Sequence, residues 1–136
     1  MNYLLISHGK LAEGILSACK IILGEKKNLF AINMYEDDES LESKLKHLFA
    51  KNDISSNKLI IITDIFGGSV NQKVIKLFGL KENIILTGMN LPMLLELLTN
   101  DSAKLDIENI RDIVNRTQKQ IMIVNDFMEK MDEDVF

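Results

Sequence analysis

The sequence predicts an α/β fold with an open, mostly parallel sheet of four strands in the order 2-1-3-4, flanked by helices. Short apolar runs alternate along the chain with amphipathic helical patterns, which is typical of parallel sheets with helical crossovers. The runs are apolar throughout, as expected for strands that are covered on both faces. No internal repeat or interdomain linker interrupts them. We therefore expect one domain over residues 1–136, with residues 125–136 as a C-terminal tail.

Five apolar runs are candidate strands. They cover residues 3–7, 29–34, 59–63, 84–87 and, more weakly, 121–124. The first four form the predicted sheet. The fifth comes directly after a helix near the C-terminus, so little chain remains to cover it. Such a short terminal strand can add at an exposed edge of a sheet, in this subunit or in a partner.

Helical patterns separate the strands and follow the fourth one. Apolar side chains recur at spacings of three and four residues in each, and this spacing places them on one helical face. Gly24 and Gly79 stand where C-terminal caps are expected. Ser69 is expected to cap the N-terminus of the third helix, and Pro92 lies in the first turn of the fourth. The predicted helices cover residues 10–24, 40–51, 69–78, 92–99 and 106–119.

Composition and charge narrow the class of protein. The chain is 46% hydrophobic and 26% charged, which is ordinary for a globular domain. Its net charge of −4 and the lack of a basic cluster argue against nucleic-acid binding. No apolar stretch approaches the roughly 20 residues that cross a bilayer, and no secretory signal is recognisable at the start. With a single cysteine as well, we expect a cytoplasmic protein.

Two polar residues end neighbouring strands of the predicted sheet. His8 follows the first run and Asp64 follows the third. In the order 2-1-3-4 the carboxyl ends of these strands form the crevice where parallel sheets bind ligands. We expect His8 to act as a nucleophile and Asp64 to orient its ring, because a carboxylate on one ring nitrogen leaves the other free to attack. The alternatives are a histidine that satisfies a turn and an aspartate that forms a loop.

Four further residues are candidates for substrate binding. Gly67, Gly68 and Ser69 open the third helix, where glycines permit close backbone approach and free amides bind phosphate oxygens. Asn90 follows the fourth strand and either lines the crevice from the far side or belongs to a turn.

The sequence contains none of the motifs that bind metals or nucleotides. The chain has no nucleotide-binding glycine loop and no zinc-like Cys/His spacing, and one convincing carboxylate at the strand ends is too few for Mg²⁺. We expect no cofactor and no metal, which disfavours a nucleotide-dependent kinase. Cys19, Met89 and Met93 are expected to pack in the interior, and His47 to lie on a solvated helix face.

Three segments resemble the mannose-family EIIA proteins of the bacterial sugar phosphotransferase system (PTS). They are Leu-Ile-Ser-His-Gly around His8 with the following Leu-Ala-Glu-Gly, Thr-Asp-Ile-Phe-Gly-Gly-Ser from Thr63, and Thr-Gly-Met-Asn-Leu-Pro-Met-Leu from Thr87. They occur in the same order at compatible spacing, and the resemblance covers roughly residues 1–120. The family's usual proline after Gly-Gly-Ser is Val70 here, a change that concerns loop rigidity more than chemistry.

The resemblance implies a phosphotransferase that works as a phosphohistidine relay. His8 would accept phosphate from the carrier protein HPr and pass it to a histidine of EIIB, while the membrane components EIIC and EIID take part indirectly during sugar uptake. Asp64 would orient the His8 ring, and the region of Ser69 would contact the phosphoryl group. Family members are homodimers that exchange a C-terminal strand, which suits the run at residues 121–124.

Two other functions remain as alternatives. One is a regulatory module whose histidine phosphorylation reports sugar status to a protein partner. The other is the related carrier that serves dihydroxyacetone kinase, which the intact Gly9 and Gly67-Gly68-Ser69 disfavour. The sequence names neither the sugar nor the particular EIIB.

Overall fold

A computed structural model describes residues 1–54, 58–100 and 105–131. Its four strands form one parallel sheet in the order β2-β1-β3-β4, which confirms the predicted order. The strands are β1 (Asn2–His8), β2 (Leu29–Met34), β3 (Leu59–Thr63) and β4 (Ile84–Leu86). The helices are α1 (Leu11–Leu23), α2 (Leu41–Asn52), α3 (Ser69–Phe78), α4 (Leu91–Thr99), α5 (Ile107–Gln118) and α6 (Val124–Lys130).

The register of the two central strands brings the candidate residues together. Ile6 of β1 pairs with Thr63 of β3, so His8 and Asp64 emerge side by side at the carboxyl end of the sheet. On the other side of β1, His8 pairs with Met34, the last residue of β2. Three strands therefore end around His8.

Helices cover both faces of β1. Alternate residues of a strand point to opposite faces. Leu4 and Ile6 belong to a buried cluster with Leu41 of α2 and Val70 of α3. Ser7, the residue after Ile6, points to the opposite face, where its Oγ accepts a 2.7 Å hydrogen bond from the N–H of Ala12 in α1. All four β1 side chains from Tyr3 to Ile6 are at most 2% exposed, as the continuous apolar run predicts.

Most predicted helix caps are present, but the prediction that Ser69 caps α3 is wrong. Gly24 and Gly79 end α1 and α3 at φ of +81° and +70°, a region that favours glycine. Gly68 occupies the N-cap position of α3 and Ser69 is the first helical residue. The Ser69 hydroxyl does not cap a backbone amide there because it contacts His8 and Tyr35 instead.

The predicted strand at residues 121–124 is not part of the sheet. Residues 121–123 lie outside helices and strands, and Val124 begins the short helix α6, which the sequence did not predict. A strand needs a partner for its hydrogen bonds, and among residues 1–54, 58–100 and 105–131 the sheet ends at β2 and β4. The four side chains are 45–84% exposed.

The described residues form two compact units, Met1–Leu91 and a second that begins at Pro92. The first holds the sheet and α1 to α3, and the second holds α5, α6 and α4 beyond Leu91. That the whole chain is one domain stays a prediction, as does a tail at residues 125–136, of which 132–136 lie outside the described residues. No helix in the described ranges has the length and apolar character needed to cross a membrane.

Candidate active site

The end of β1 presents His8 to solvent. The strand is buried from Tyr3 to Ser7, and the His8 side chain is 47% exposed. Gly9 turns the chain at φ +53° and its N–H donates to the carbonyl of Met34 at 2.8 Å. The left-handed backbone at Gly9 costs little without a side chain, so the strand stops at the histidine and α1 begins at Leu11.

The Asp64 carboxylate holds His8 at two points. Its Oδ2 lies 2.7 Å from Nδ1 of the ring and accepts the backbone N–H of His8 at 2.8 Å. The other oxygen, Oδ1, accepts the N–H of Ile65 at 3.0 Å. A carboxylate accepts hydrogen bonds, so Nδ1 carries the ring proton and Nε2 keeps its lone pair in the neutral ring.

The Asp64 carboxyl group stays ionised in this setting. Burial alone would raise its pKa, but the hydrogen bonds from the His8 backbone, the His8 ring and the Ile65 backbone outweigh burial and lower the pKa below its ordinary value. A permanent negative charge beside Nδ1 favours a positive charge on the ring. This is the charge that develops when Nε2 forms a new bond.

A serine hydroxyl faces the second ring nitrogen. Oγ of Ser69 lies 3.2 Å from Nε2 of His8. The Tyr35 hydroxyl donates to the same Oγ at 2.8 Å, so the serine proton is available for Nε2. Hydrogen bonds therefore run from Tyr35 through Ser69 and His8 to Asp64.

The glycines before α3 are held by a buried amide. Asn71 is 3% exposed, its Oδ1 accepts the N–H of Gly67 at 3.1 Å and its Nδ2 donates to Oγ1 of Thr63 at 2.9 Å. Gly67 adopts φ +76°. A Cβ on Gly68 would lie 2.7 Å from Cγ2 of Ile65 and 3.8 Å from Cε1 of His8. A side chain at Gly68 would therefore clash with Ile65, whereas its contact with the His8 ring would be an ordinary van der Waals one.

The N-terminus of α3 starts at this loop. The first intrahelical bond runs from the N–H of Gln72 to the carbonyl of Gly68 at 2.9 Å. The amides that precede Gln72 in the first turn have no intrahelical acceptor, and such amides favour anions. One of them belongs to Ser69, whose side chain already reaches His8.

Tyr35 and Lys73 are part of the site, although the sequence analysis did not name them. The Tyr35 ring lies 5.1 Å from the His8 ring, centroid to centroid, and Nζ of Lys73 lies 5.0 Å from the Tyr35 centroid. The sequence did contain a signal for Tyr35, namely its position at a strand end. Tyr35 directly follows β2, His8 is the last residue of β1 and Asp64 directly follows β3.

Asn90, His47 and Cys19 have other described contacts or surroundings. The Asn90 amide donates to the carbonyl of Gly88 at 2.8 Å, and its role in substrate binding stays a prediction. His47 is 76% exposed and pairs with Glu39 at 2.9 Å. Cys19 is fully buried, as expected. In the described part of the chain no three His, Cys, Asp or Glu residues are grouped so as to hold a metal.

Comparison with known proteins places this chain in a family. Residues 2–115 match the family model EIIA-man, the PTS system fructose IIA component. Over 95 residues the chain is 33% identical to the PTS system mannose-specific EIIAB component of Escherichia coli (strain K12), which covers 68% of this chain. The chain spans only 29% of the length of that relative.

Two further proteins are similar over nearly the whole chain. The PTS system fructose-specific EIIA component of Bacillus subtilis (strain 168) is 21% identical over 134 residues, or 96% of this chain and 91% of the relative. A crystal structure from Klebsiella pneumoniae, assigned to a phosphoenolpyruvate-dependent sugar phosphotransferase system permease, is 28% identical with a TM-score of 0.80. It covers 93% of each chain. Because the family model matches most of its length, the chain belongs to the EIIA-man family of PTS system IIA components.

Proposed function

We propose that this chain carries a phosphoryl group on Nε2 of His8, between HPr and an EIIB protein of a mannose-family PTS. The observation that carries the proposal is the pair of contacts on the His8 ring. Asp64 binds Nδ1 at 2.7 Å and the Ser69 hydroxyl lies 3.2 Å from Nε2. One nitrogen is thus fixed as a donor, and the other keeps a lone pair beside a group that can hydrogen-bond a phosphoryl oxygen.

The proposed transfer needs no movement of protons. The Nε2 lone pair of His8 attacks phosphorus, the N–P bond to the donor histidine of HPr breaks, and the leaving ring keeps the electron pair. The His8 ring then carries a proton on Nδ1 and the phosphoryl group on Nε2, and the Asp64 carboxylate stabilises its positive charge. Transfer to an EIIB histidine repeats the step with His8 as the leaving group. Positioning therefore supplies most of the catalysis.

Exposed apolar side chains next to the site suit docking of a protein donor. Ile65 is 60% exposed and Phe66 is 80% exposed, and both lie in the loop that joins Asp64 to the glycines. A small-molecule site would instead enclose its ligand in a cleft. We infer that HPr and EIIB contact this loop in turn. EIIC and EIID would act only through EIIB, and the partners would determine which sugar is taken up.

Labelling the chain from phosphorylated HPr tests the proposal. We expect one acid-labile phosphate per chain, because His8 is the histidine held by a carboxylate at a strand end while His47 pairs with Glu39 on a solvated helix. His8→Ala should take up no label and His47→Ala should take up as much as the unaltered chain. Acid-labile phosphate on His8→Ala would refute the assignment. Label that forms on His8 but never passes to EIIB would favour the regulatory alternative.

We also propose that the chain forms a homodimer through its C-terminal segment. Six apolar side chains around residues 121–128 are 39–84% exposed, an apolar surface of the kind that marks an interface. They are Ile121, Met122, Ile123, Val124, Phe127 and Met128. Ile123 already has an extended backbone at φ −86° and ψ +111°. Residues 121–124 of one subunit would add as a strand to the sheet of the other.

Polar substitutions in this segment should separate the dimer. We expect Ile121→Ser/Ile123→Ser to sediment as a monomer at micromolar concentration, because these side chains are 84% and 64% exposed in the single chain and gain burial only from a partner. Ile21→Ser is a matched control, since Ile21 is 82% exposed on α1. The double variant Ile121→Ser/Ile123→Ser should keep the helix content of the unaltered chain. A monomeric unaltered chain, or a double variant that stays dimeric, would contradict the proposal.

A further inference from the structure

Tyr35 leaves the sheet next to the candidate nucleophile. It follows Met34, which pairs with His8 across the β1–β2 ladder. Its backbone is left-handed at φ +67°, a conformation that costs a bulky residue free energy and persists only where surrounding contacts hold it. Such strain often accompanies functional sites, so the contacts of this side chain need an explanation.

Those contacts lead to Nε2 of His8. The Tyr35 hydroxyl donates to Oγ of Ser69 at 2.8 Å, and that oxygen lies 3.2 Å from Nε2. A serine hydroxyl by itself rotates freely between acceptors. Because Tyr35 occupies a lone pair of Oγ, the serine proton is left to point at the ring nitrogen.

Lys73 is the third residue in contact with Tyr35, besides Ser69 and His8. It lies four residues after Ser69 in α3, so the two side chains share one helical face. Its ammonium group is 5.0 Å from the Tyr35 centroid. The hydrogen bonds with Ser69 and then with Lys73, together with the lysine charge, lower the pKa of Tyr35 below its ordinary value, against the opposing effects of burial and of the Asp64 charge.

We propose that Tyr35 is a positioning residue of the phosphoryl site. It fixes the Ser69 hydroxyl so that this group donates first to Nε2 of His8 and, once phosphate is bound there, to a phosphoryl oxygen. Lys73 keeps the Tyr35 ring in place through the contact of its ammonium group with that ring. The proposal rests on the proposed phosphoryl transfer to His8 and adds two residues to it.

Ultraviolet titration of tyrosine tests the contacts without any transfer reaction. The chain has no tryptophan and two tyrosines. Burial raises the pKa of Tyr3, so the lower transition belongs to Tyr35. We expect Ser69→Ala, and to a smaller extent Lys73→Met, to raise the pKa of Tyr35, while the control Lys76→Met leaves it unchanged. The groups that face Tyr35 are His8 and Asp64 at the strand ends and Ser69 and Lys73 on α3. A pKa of Tyr35 that none of the variants moves would overturn the proposal.

Transfer kinetics test the role itself. Tyr35→Phe keeps the ring and removes the hydroxyl, so we expect kcat for transfer from phosphorylated HPr to fall about three- to tenfold with KM nearly unchanged. Because Tyr35 acts through Ser69, the double variant Tyr35→Phe/Ser69→Ala should be no slower than Ser69→Ala alone. Lys76→Met again serves as the control.

The outcomes separate the two proposals. An unaltered chain that accepts phosphate on His8, with Tyr35→Phe equally fast or with additive effects in the double variant, would overturn the role of Tyr35 and leave the carrier function intact. An unaltered chain that accepts no phosphate would overturn the carrier function and with it the role of Tyr35.

Discussion

Replacement of Asp64 by asparagine is expected to slow phosphoryl transfer to His8 by about two to four orders of magnitude. The asparagine amide can donate to Nδ1, which places the ring proton on Nε2 and removes the lone pair that attacks phosphorus. Asp64→Ala loses the charge and both contacts with His8, at 2.7 and 2.8 Å, so it should also be slow. Rapid-quench measurement of labelled phosphate on His8 gives the rate.

Two further measurements make this result specific. The ¹⁵N shifts of the ring nitrogens should report protonated Nδ1 in the unaltered chain and protonated Nε2 in Asp64→Asn. Asp37→Ala is the matched control, because Asp37 is an exposed aspartate that pairs with Lys44 at 3.1 Å. If both Asp64 variants transfer phosphate at the unaltered rate, Asp64 does not orient His8 and only forms the loop.

Asn71→Ala is expected to lower both the stability of the fold and the transfer rate. It removes the acceptor of the Gly67 N–H and the donor to Thr63, and it leaves polar groups in a buried region without these partners. The free energy of unfolding should fall by about 1–3 kcal/mol. The transfer rate should fall as well, since Asn71 holds the loop that positions Gly68 and Ser69 beside His8.

Chemical denaturation and the transfer assay measure the two effects on the same samples. Asn52→Ala is the control, because the Asn52 side chain is exposed and bonds only locally to the carbonyl of Leu48 as described. We expect it to change the free energy of unfolding by less than about 0.5 kcal/mol. A similarly small change in Asn71→Ala would mean that the buried amide does not hold the loop.

The sheet and the pairing of His8 with Asp64 could be predicted because strong local patterns determine them. Continuous apolar runs mark buried parallel strands, and the parallel register then aligns the residues that end β1 and follow β3. The 2.7 Å contact depended in addition on β1 and β3 being neighbours, which the prediction took from an assumed strand order of 2-1-3-4.

Ser69 was predicted at the site, but its contacts with His8 and Tyr35, and the presence of Tyr35 and Lys73, could not be predicted in the same way. Serine before a helical pattern is a strong capping signal, but a tertiary contact with Tyr35 and His8 takes the hydroxyl in the fold. Tyr35 directly follows β2, and the register that pairs Met34 with His8 brings it to the His8 site. Such contacts join distant segments, and local propensity carries no information about them.

Residues 121–124 do not form a strand within this chain, and their exchange with a second subunit stays a proposal. Their composition favours β structure, but a strand is defined by its partner, and within this chain these residues have no place in the sheet. The apolar residues 121–124 lie on the surface of this chain. The last of them, Val124, begins α6 and not a strand.

Cys19 has a practical consequence for work with the folded chain. It is the single cysteine, it is fully buried in α1, and burial raises the pKa of its thiol. Thiolate is the reactive form of cysteine, so we expect alkylating and maleimide reagents not to modify Cys19 in the folded chain. A cysteine introduced at an exposed site is then the one reactive thiol, and fluorescent or spin labels can be attached there while the natural cysteine stays in place.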